Sequence, residues 1–231
     1  MTATAPRETP PTIGVLMLET RFPRFAGDIG DATSMPWPTR YRRVPTASVA
    51  RVVRGEPVPA ALVARFVAAG RELVADGAGL VTTSCGFLHA AQAPLEQALS
   101  VPVVTSSLTL LGDVHARHGD AGPIGILTFD ARALGAVHLG AGAAVPTVVR
   151  GMERSRHFHR VIAADLPRAD FAAMEADAVA AARELARERP GAVILECTNL
   201  SPYREAITAA IGGRPLFDLH DAIAWRIARS R

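Results

Sequence analysis

The chain repeats itself, and the repeat limits what it can fold into. Segments 70–85 (GRELVADGAGLVTTSC) and 182–197 (ARELARERPGAVILEC) align without a gap, so that Arg71 meets Arg183, Glu72 meets Glu184 and Leu73 meets Leu185. Each runs through an apolar stretch into a cysteine, Cys85 or Cys197, and the chain has 2 cysteines in all. A second pair, IGVLMLETR at 13–21 and IGILTFDAR at 124–132, recurs in the same order. The offsets are 112 and 111 residues. The economical explanation is a duplicated α/β unit with one thiol per copy. If the copies face each other, two thiols reach one ligand from opposite sides.

The hydrophobic pattern supports that unit. Residues 13–18 form a short aliphatic run, the mark of a buried strand. Residues 20–40 hold Pro23, Gly27, Gly30, Pro36 and Pro38, a long irregular loop of the kind that often carries function. Residues 41–44 read as a strand, and 59–76 as a helix with Leu62, Val63, Phe66, Val67 and Leu73 at helical spacing, ended by Gly77 and Gly79. A strand at 80–83, a helix over 86–99, a strand at 101–105 and a helix over 108–118 follow. The cycle restarts with a strand at 124–129, a helix at 131–139, a strand at 145–149 and a long alanine-rich helix over 169–189. A strand at 192–195, a helix at 202–211, a short strand at 215–217 and a helix at 220–228 complete it. Alternating strands and helices imply parallel sheets. The expected fold class is α/β: two pseudo-symmetric parallel-sheet domains of about four strands each, with the active site in the cleft between them. The first domain spans 12–112 plus 216–231, the second spans 113–215, and 1–11 is a disordered tail.

Composition narrows the function classes. All 25 basic residues are arginine, against 22 acids, and the net charge is +3. No compact basic stripe interleaved with aromatics accompanies it, which argues against a nucleic-acid partner. At 49% apolar residues the chain can build a substantial core. No apolar run reaches the roughly 18 residues of a membrane span, and the N-terminus lacks the apolar region of a signal peptide. The expected location is the cytoplasm, where two cysteines are free thiols rather than a bridge. No GxGxxG or GxxxxGK[ST] pattern is present. The absence of lysine excludes a lysine Schiff base, so no cofactor is expected.

Each cysteine falls where a strand gives way to a helix. Ligands of open α/β sheets bind outside the carboxyl ends of strands. The unpaired N–H groups of a first helical turn favour an anion there and lower a thiol pKa towards neutrality. Cys85 and Cys197 are therefore the expected catalytic acid–base pair. Substrate contacts are expected from the amides of Gly86, Phe87, Thr198 and Asn199, the hydroxyls of Thr82, Thr83, Ser84 and Thr198, and Thr20.

TTSCGF at 82–87 and LECTNLSPY at 195–203 resemble the two cysteine motifs of the aspartate/glutamate/hydantoin racemase superfamily, over nearly the whole chain. That resemblance implies a cofactor-independent racemase or epimerase. One thiolate removes the proton beside a carboxylate, as in aspartate, glutamate or a hydantoin, while the other thiol returns one. It also implies a small carboxylic acid as substrate and a homodimer. The alternatives are a related isomerase or decarboxylase, similar to maleate isomerase or arylmalonate decarboxylase, or a non-catalytic binder of small acids. The chain departs from the family pattern at Gly86–Phe87, where Asn–Thr is usual, and at Glu196, where Gly is usual. Phe87 points to a more apolar substrate or to a carboxylate cradle made of backbone alone.

Other residues are weaker candidates. His89, one turn after Cys85, would lower the thiol pKa if protonated. His115, His118, His157 and His159 lack a matching carboxylate pattern, so no metal is expected. Arg21, Arg24, Asp28 and Asp31 either grip a distal substrate group or form ion pairs within the loop. Asp218 is an N-cap.

Overall fold

A computed structural model describes residues 10–230. The tail expected at 1–11 therefore falls, over residues 1–9, outside the described residues. The first half runs β1 (Ile13–Met17), β2 (Thr39–Arg43), α1 (Val49–Val52), α2 (Ala60–Ala75), β3 (Leu80–Thr83), α3 (Gln92–Ala98), β4 (Val103–Val104) and α4 (Leu111–His118). The second runs β5 (Ile124–Thr128), α5 (Ala136–Leu139), β6 (Thr147–Gly151), α6 (Phe158–Ala163), α7 (Phe171–Arg187), β7 (Ala192–Leu195), α8 (Arg204–Ala210), β8 (Leu216–Phe217) and α9 (Leu219–Arg229).

The strands form two 4-stranded parallel sheets, ordered β2-β1-β3-β4 and β6-β5-β7-β8. The duplication is visible in the register. Ile13 lies opposite Leu80 in the first sheet, and Ile124 opposite Ala192 in the second. The repeated residues explain why. Gly14 on β1 faces Leu73 of α2, and a Cβ at Gly14 would stand 3.1 Å from Leu73 Cβ and 3.0 Å from Ala78 Cβ. The equivalent Gly125 on β5 faces Leu185 of α7, with a would-be Cβ 3.0 Å from Leu185 Cδ2. In each copy a missing side chain lets the covering helix settle on the central strand. The repeated leucine fills that space.

β1 and β5, flanked on both sides, are buried along their whole length. β2 is an edge strand with Arg40, Arg42 and Arg43, and Arg42 is paired with Glu72 and Asp76 of the α2 end. The two apolar clusters each draw on both sheets, Ile13, Val15 and Leu80 packing in one cluster with Ile124, Ile126 and Ile194. Pairing of β8 with β7 carries residues 216–217 into the second sheet, so the return to the first half begins at α9 rather than at 216. The helix expected over 86–99 opens as a 3-10 helix, Gly86–Ala91, and becomes α-helical only at Gln92. The helix expected over 131–139 shrinks to Ala136–Leu139, with Gly135 at its N-cap.

The glycine–leucine contact has a measurable consequence. Gly14→Val should lower unfolding free energy by about 1–3 kcal/mol through overpacking, read by urea denaturation. An unchanged midpoint would show that the helix is not seated on the strand.

Candidate active site

In each sheet the chain leaves the central strand to one side and returns on the other, so strand order reverses between β1 and β3 and between β5 and β7. Such reversals open crevices at strand carboxyl ends. Here both crevices meet in one narrow cleft, with Ser84, Cys85, Gly86 and Phe87 on one wall and Glu196, Cys197, Thr198 and Asn199 on the other. Leu18, Phe22, Val49, Val53, Phe129 and Ile162 supply most of the remaining surface, which is apolar.

Short hydrogen bonds hold the two cysteine turns. Thr83 Oγ1 donates to Thr105 O at 2.7 Å and accepts the Cys85 N–H at 3.4 Å. Ser84 Oγ accepts the Leu18 N–H at 3.0 Å. Thr198 Oγ1 donates to Ser84 O at 2.9 Å and so bridges the walls. Cys85 and Cys197 both have extended backbone, and each precedes a 3-10 helix, Gly86–Ala91 or Thr198–Tyr203. A Cβ on Gly86 would stand 2.2 Å from Glu196 O and 2.4 Å from Glu196 Oε1, so only glycine lets the turns approach this closely.

Both thiols are free. Burial pushes Cys85 up to about 12, reinforced by the Glu196 charge; the N–H groups of Phe87 and Leu88 oppose that rise. Burial and Glu196 likewise raise Cys197 well above the usual thiol value, against the Asn199 N–H. The expectation of lowered thiol pKa values is thus corrected: burial raises both. Desolvation outweighs a few backbone N–H groups. Glu196 is 1% exposed. Burial lifts its carboxyl to about 7, although the Thr128 hydroxyl and Phe129 N–H favour the ionised form.

The cation on the cleft wall is Arg24, and it is already engaged. Its Nη1 lies 3.1 Å from Asp28 Oδ1, its Nη2 donates to Thr20 Oγ1 at 3.2 Å, and its guanidinium sits 4.5 Å above the Phe22 ring. Asn199 Nδ2 donates to Asp28 Oδ2 at 2.6 Å. This network gathers part of the long loop under the second cysteine. Thr20 supports this network and Thr83 supports the Cys85 turn; neither lines the cleft, whereas Ser84, Gly86, Phe87, Thr198 and Asn199 do. Thr82 is turned away, donating to Val104 O at 2.6 Å.

Several weighed residues lie elsewhere. Arg21 and its repeat Arg132 make exposed ion pairs with Asp165 and Asp130. His89 contacts His138 O, and burial lowers its pKa, so it brings no positive charge to Cys85 at neutral pH. Among the described residues no group of three or more His, Cys, Asp or Glu is placed to hold a metal. Asp218 caps α9, accepting from the N–H groups of His220 and Asp221. Sequence reasoning missed Leu18, Phe22, Val49, Val53, Phe129 and Ile162 as cleft residues. Glu196 carried a signal, a lone acid ending the apolar run AVIL.

No protein-family model matches the chain. Among solved structures it is similar to glutamate racemase isoform RacE1 from Bacillus anthracis, with a TM-score of 0.61 at 18% identity over 95% of this chain and 81% of that one. Unliganded arylmalonate decarboxylase gives 0.56 at 18% identity over 95% and 91%. The fold is that of the aspartate/glutamate racemase-like proteins. Curated sequence relatives are of another kind. The dimethylsulfoniopropionate lyase of Durusdinium sp. clade D is 28% identical over 217 residues, 90% of this chain and 71% of that protein. Dimethylsulfoniopropionate lyase 3 of Emiliania huxleyi (strain CCMP1516) is 28% identical over 221 residues, 90% of this chain and 57% of its own length. The chain thus spans little more than half of that Emiliania relative. These matches correct the expectation of an isomerase. The sequence relatives are named lyases, and the racemases share only the fold.

The raised thiol pKa values predict slow alkylation. Labelling of Cys85 by iodoacetamide should climb about tenfold per pH unit from pH 7 to 10, since only the thiolate reacts. Labelling already level at pH 7 would mean the thiol is ionised at neutral pH. No helix among the described residues is long and apolar enough to cross a membrane.

Proposed function

We propose that the cleft is a lyase site for a β-sulfonium carboxylate, dimethylsulfoniopropionate or a close analogue. The observation that carries this reading is the match of 90% of the chain to dimethylsulfoniopropionate lyases, with two thiols and a carboxyl gathered in the cleft. The chemistry is a β-elimination. A base takes the proton next to the carboxylate, and the C–H electron pair forms the new C=C bond. The C–S bond breaks with its pair leaving on sulfur. Dimethyl sulfide and acrylate result, with the proton left on the base and then released to water.

Cys85, half-buried and flanked by the Phe87 and Leu88 N–H groups, is the base in this reading. Its raised pKa is met by the substrate itself, because a positive sulfonium within about 4–6 Å favours the thiolate. Cys197 is buried, with Sγ 3.9 Å from Asn199 Oδ1. It stays a thiol and closes the opposite wall. The carboxylate lies towards the amides at 86–87 and 198–199. Their donors stabilise the charge that spreads onto it as the proton leaves. The apolar surface of the cleft suits a methylated sulfur. The reaction needs no cofactor.

Headspace gas chromatography with purified protein and dimethylsulfoniopropionate is the test. Wild type should release dimethyl sulfide, and Cys85→Ala should lower kcat/KM by about 10²–10⁴, the usual worth of a positioned base. Folded wild type that releases none would sink the reading.

A further inference from the structure

Glu196 is the acid on the cleft wall, and it is out of place by every ordinary rule of burial. It ends an apolar strand, is 1% exposed, and has one carboxylate oxygen satisfied: Oε2 accepts the Thr128 hydroxyl at 2.7 Å. Its Oε1 is buried and has no hydrogen-bond partner. A buried carboxylate oxygen left unpaired costs on the order of 1–3 kcal/mol or more, so a ligand that compensates it would bind with that advantage. Two kinds of ligand group can do so, a hydrogen-bond donor or a cation. The apolar part of the cleft lining, Leu18, Phe22, Val49, Val53, Phe129 and Ile162, offers no polar partner to the other atoms of a donor-rich group. It suits a group that carries charge but only methyl surface, and aromatic faces attract such cations.

We infer that Glu196 is the counter-charge for the onium group of the substrate, and so the residue that makes the cleft select a methylated cation over a neutral group of the same shape. This rests on the lyase reading and deepens it. Glu196 stays an anion anchor throughout: the substrate proton goes to the thiolate and the electron pair leaves on sulfur.

The charges around Glu196 fit the role. Cys85 and Cys197 flank it from the two turns, Thr128 holds it from β5, and Arg24 on the cleft wall is neutralised by its contact with Asp28. No other acid lines the cleft among the described residues. The ionised carboxylate raises both thiols. A cation bound beside it offsets that field, so substrate binding and thiol ionisation are coupled through this one side chain. Because burial lifts the carboxyl to about 7, the selection should be present above that pH and fade below it as the group takes up a proton.

The test uses two probes of equal shape, 3-(trimethylammonio)propanoate and 4,4-dimethylpentanoate, titrated calorimetrically into wild type, Glu196→Gln and Glu196→Asp. At about pH 8 wild type should bind the cationic probe at least about tenfold more tightly, a difference of about 1.4 kcal/mol. Glu196→Gln should lose the preference, and Glu196→Asp, which keeps the charge, should retain most of it. In wild type the preference should shrink at about pH 6, an arm that needs no variant to fold. A preference unchanged in Glu196→Gln, or both probes weakened equally, would overturn the inference. Wild type that releases dimethyl sulfide yet shows no preference would sink the inference alone. Wild type that neither releases it nor binds either probe would sink both readings.

Discussion

The contact of Gly86 with Glu196 is the constraint on which the cleft depends. Two strand ends from different sheets are brought together so closely that a methyl group at Gly86 would stand 2.2 Å from the Glu196 carbonyl oxygen. The neighbouring bridges follow from that approach: Thr198 Oγ1 reaches Ser84 O, and Ser107 Oγ donates to Leu195 O at 2.6 Å. Each ties a residue of one half to the backbone of the other. The cleft is therefore narrow because the turns are locked, and its walls move only if these bonds give. Such rigidity suits a site whose acid–base groups must be held in place.

Closeness also governs the electrostatics. Three acids, Cys85, Cys197 and Glu196, share a space with little water, and a like charge on any one disfavours the others. Burial and the shared charge therefore favour protonated thiols, and the carboxyl is the first of the three to ionise. A thiol in such surroundings is inert towards chance oxidants and electrophiles. In the lyase reading it becomes a base when the cationic substrate binds beside it. Burial thus links reactivity to occupancy, an effect that helix-terminus arguments alone do not reveal.

Much of the fold was legible in the chain because the duplication repeats both a strand pattern and the residues that pack on it. Leu73 and Leu185 matched in sequence, and they match in space over Gly14 and Gly125. Cys85 and Cys197 were marked by the same phase of the repeat. The short helices α1 and α6 were not legible, since four and six residues carry too little periodicity to stand out. Phe22, Val49, Phe129 and Ile162 were invisible as cleft residues because each comes from a different segment, and only tertiary packing assembles them. The direction of the thiol pKa values was misjudged for the same reason. N–H groups at a turn can be read locally, whereas burial is a property of the whole fold.

The symmetry of the scaffold and the asymmetry of the site explain why a racemase-like fold need not imply racemisation. A two-base exchange needs similar chemistry on both faces of the reacting carbon. Here the repeat aligns Ser84 with Glu196, Gly86 with Thr198 and Phe87 with Asn199. One wall presents a small hydroxyl, a glycine and an aromatic ring beside its thiol. The other presents a carboxyl, a hydroxyl and an amide engaged with Asp28. The backbone is duplicated, but the two thiols differ in exposure and in partners. A proton removed on one face therefore meets different groups from one returned on the other. That arrangement suits a reaction in which a proton leaves from one side and a second bond breaks, rather than one that runs alike in both directions.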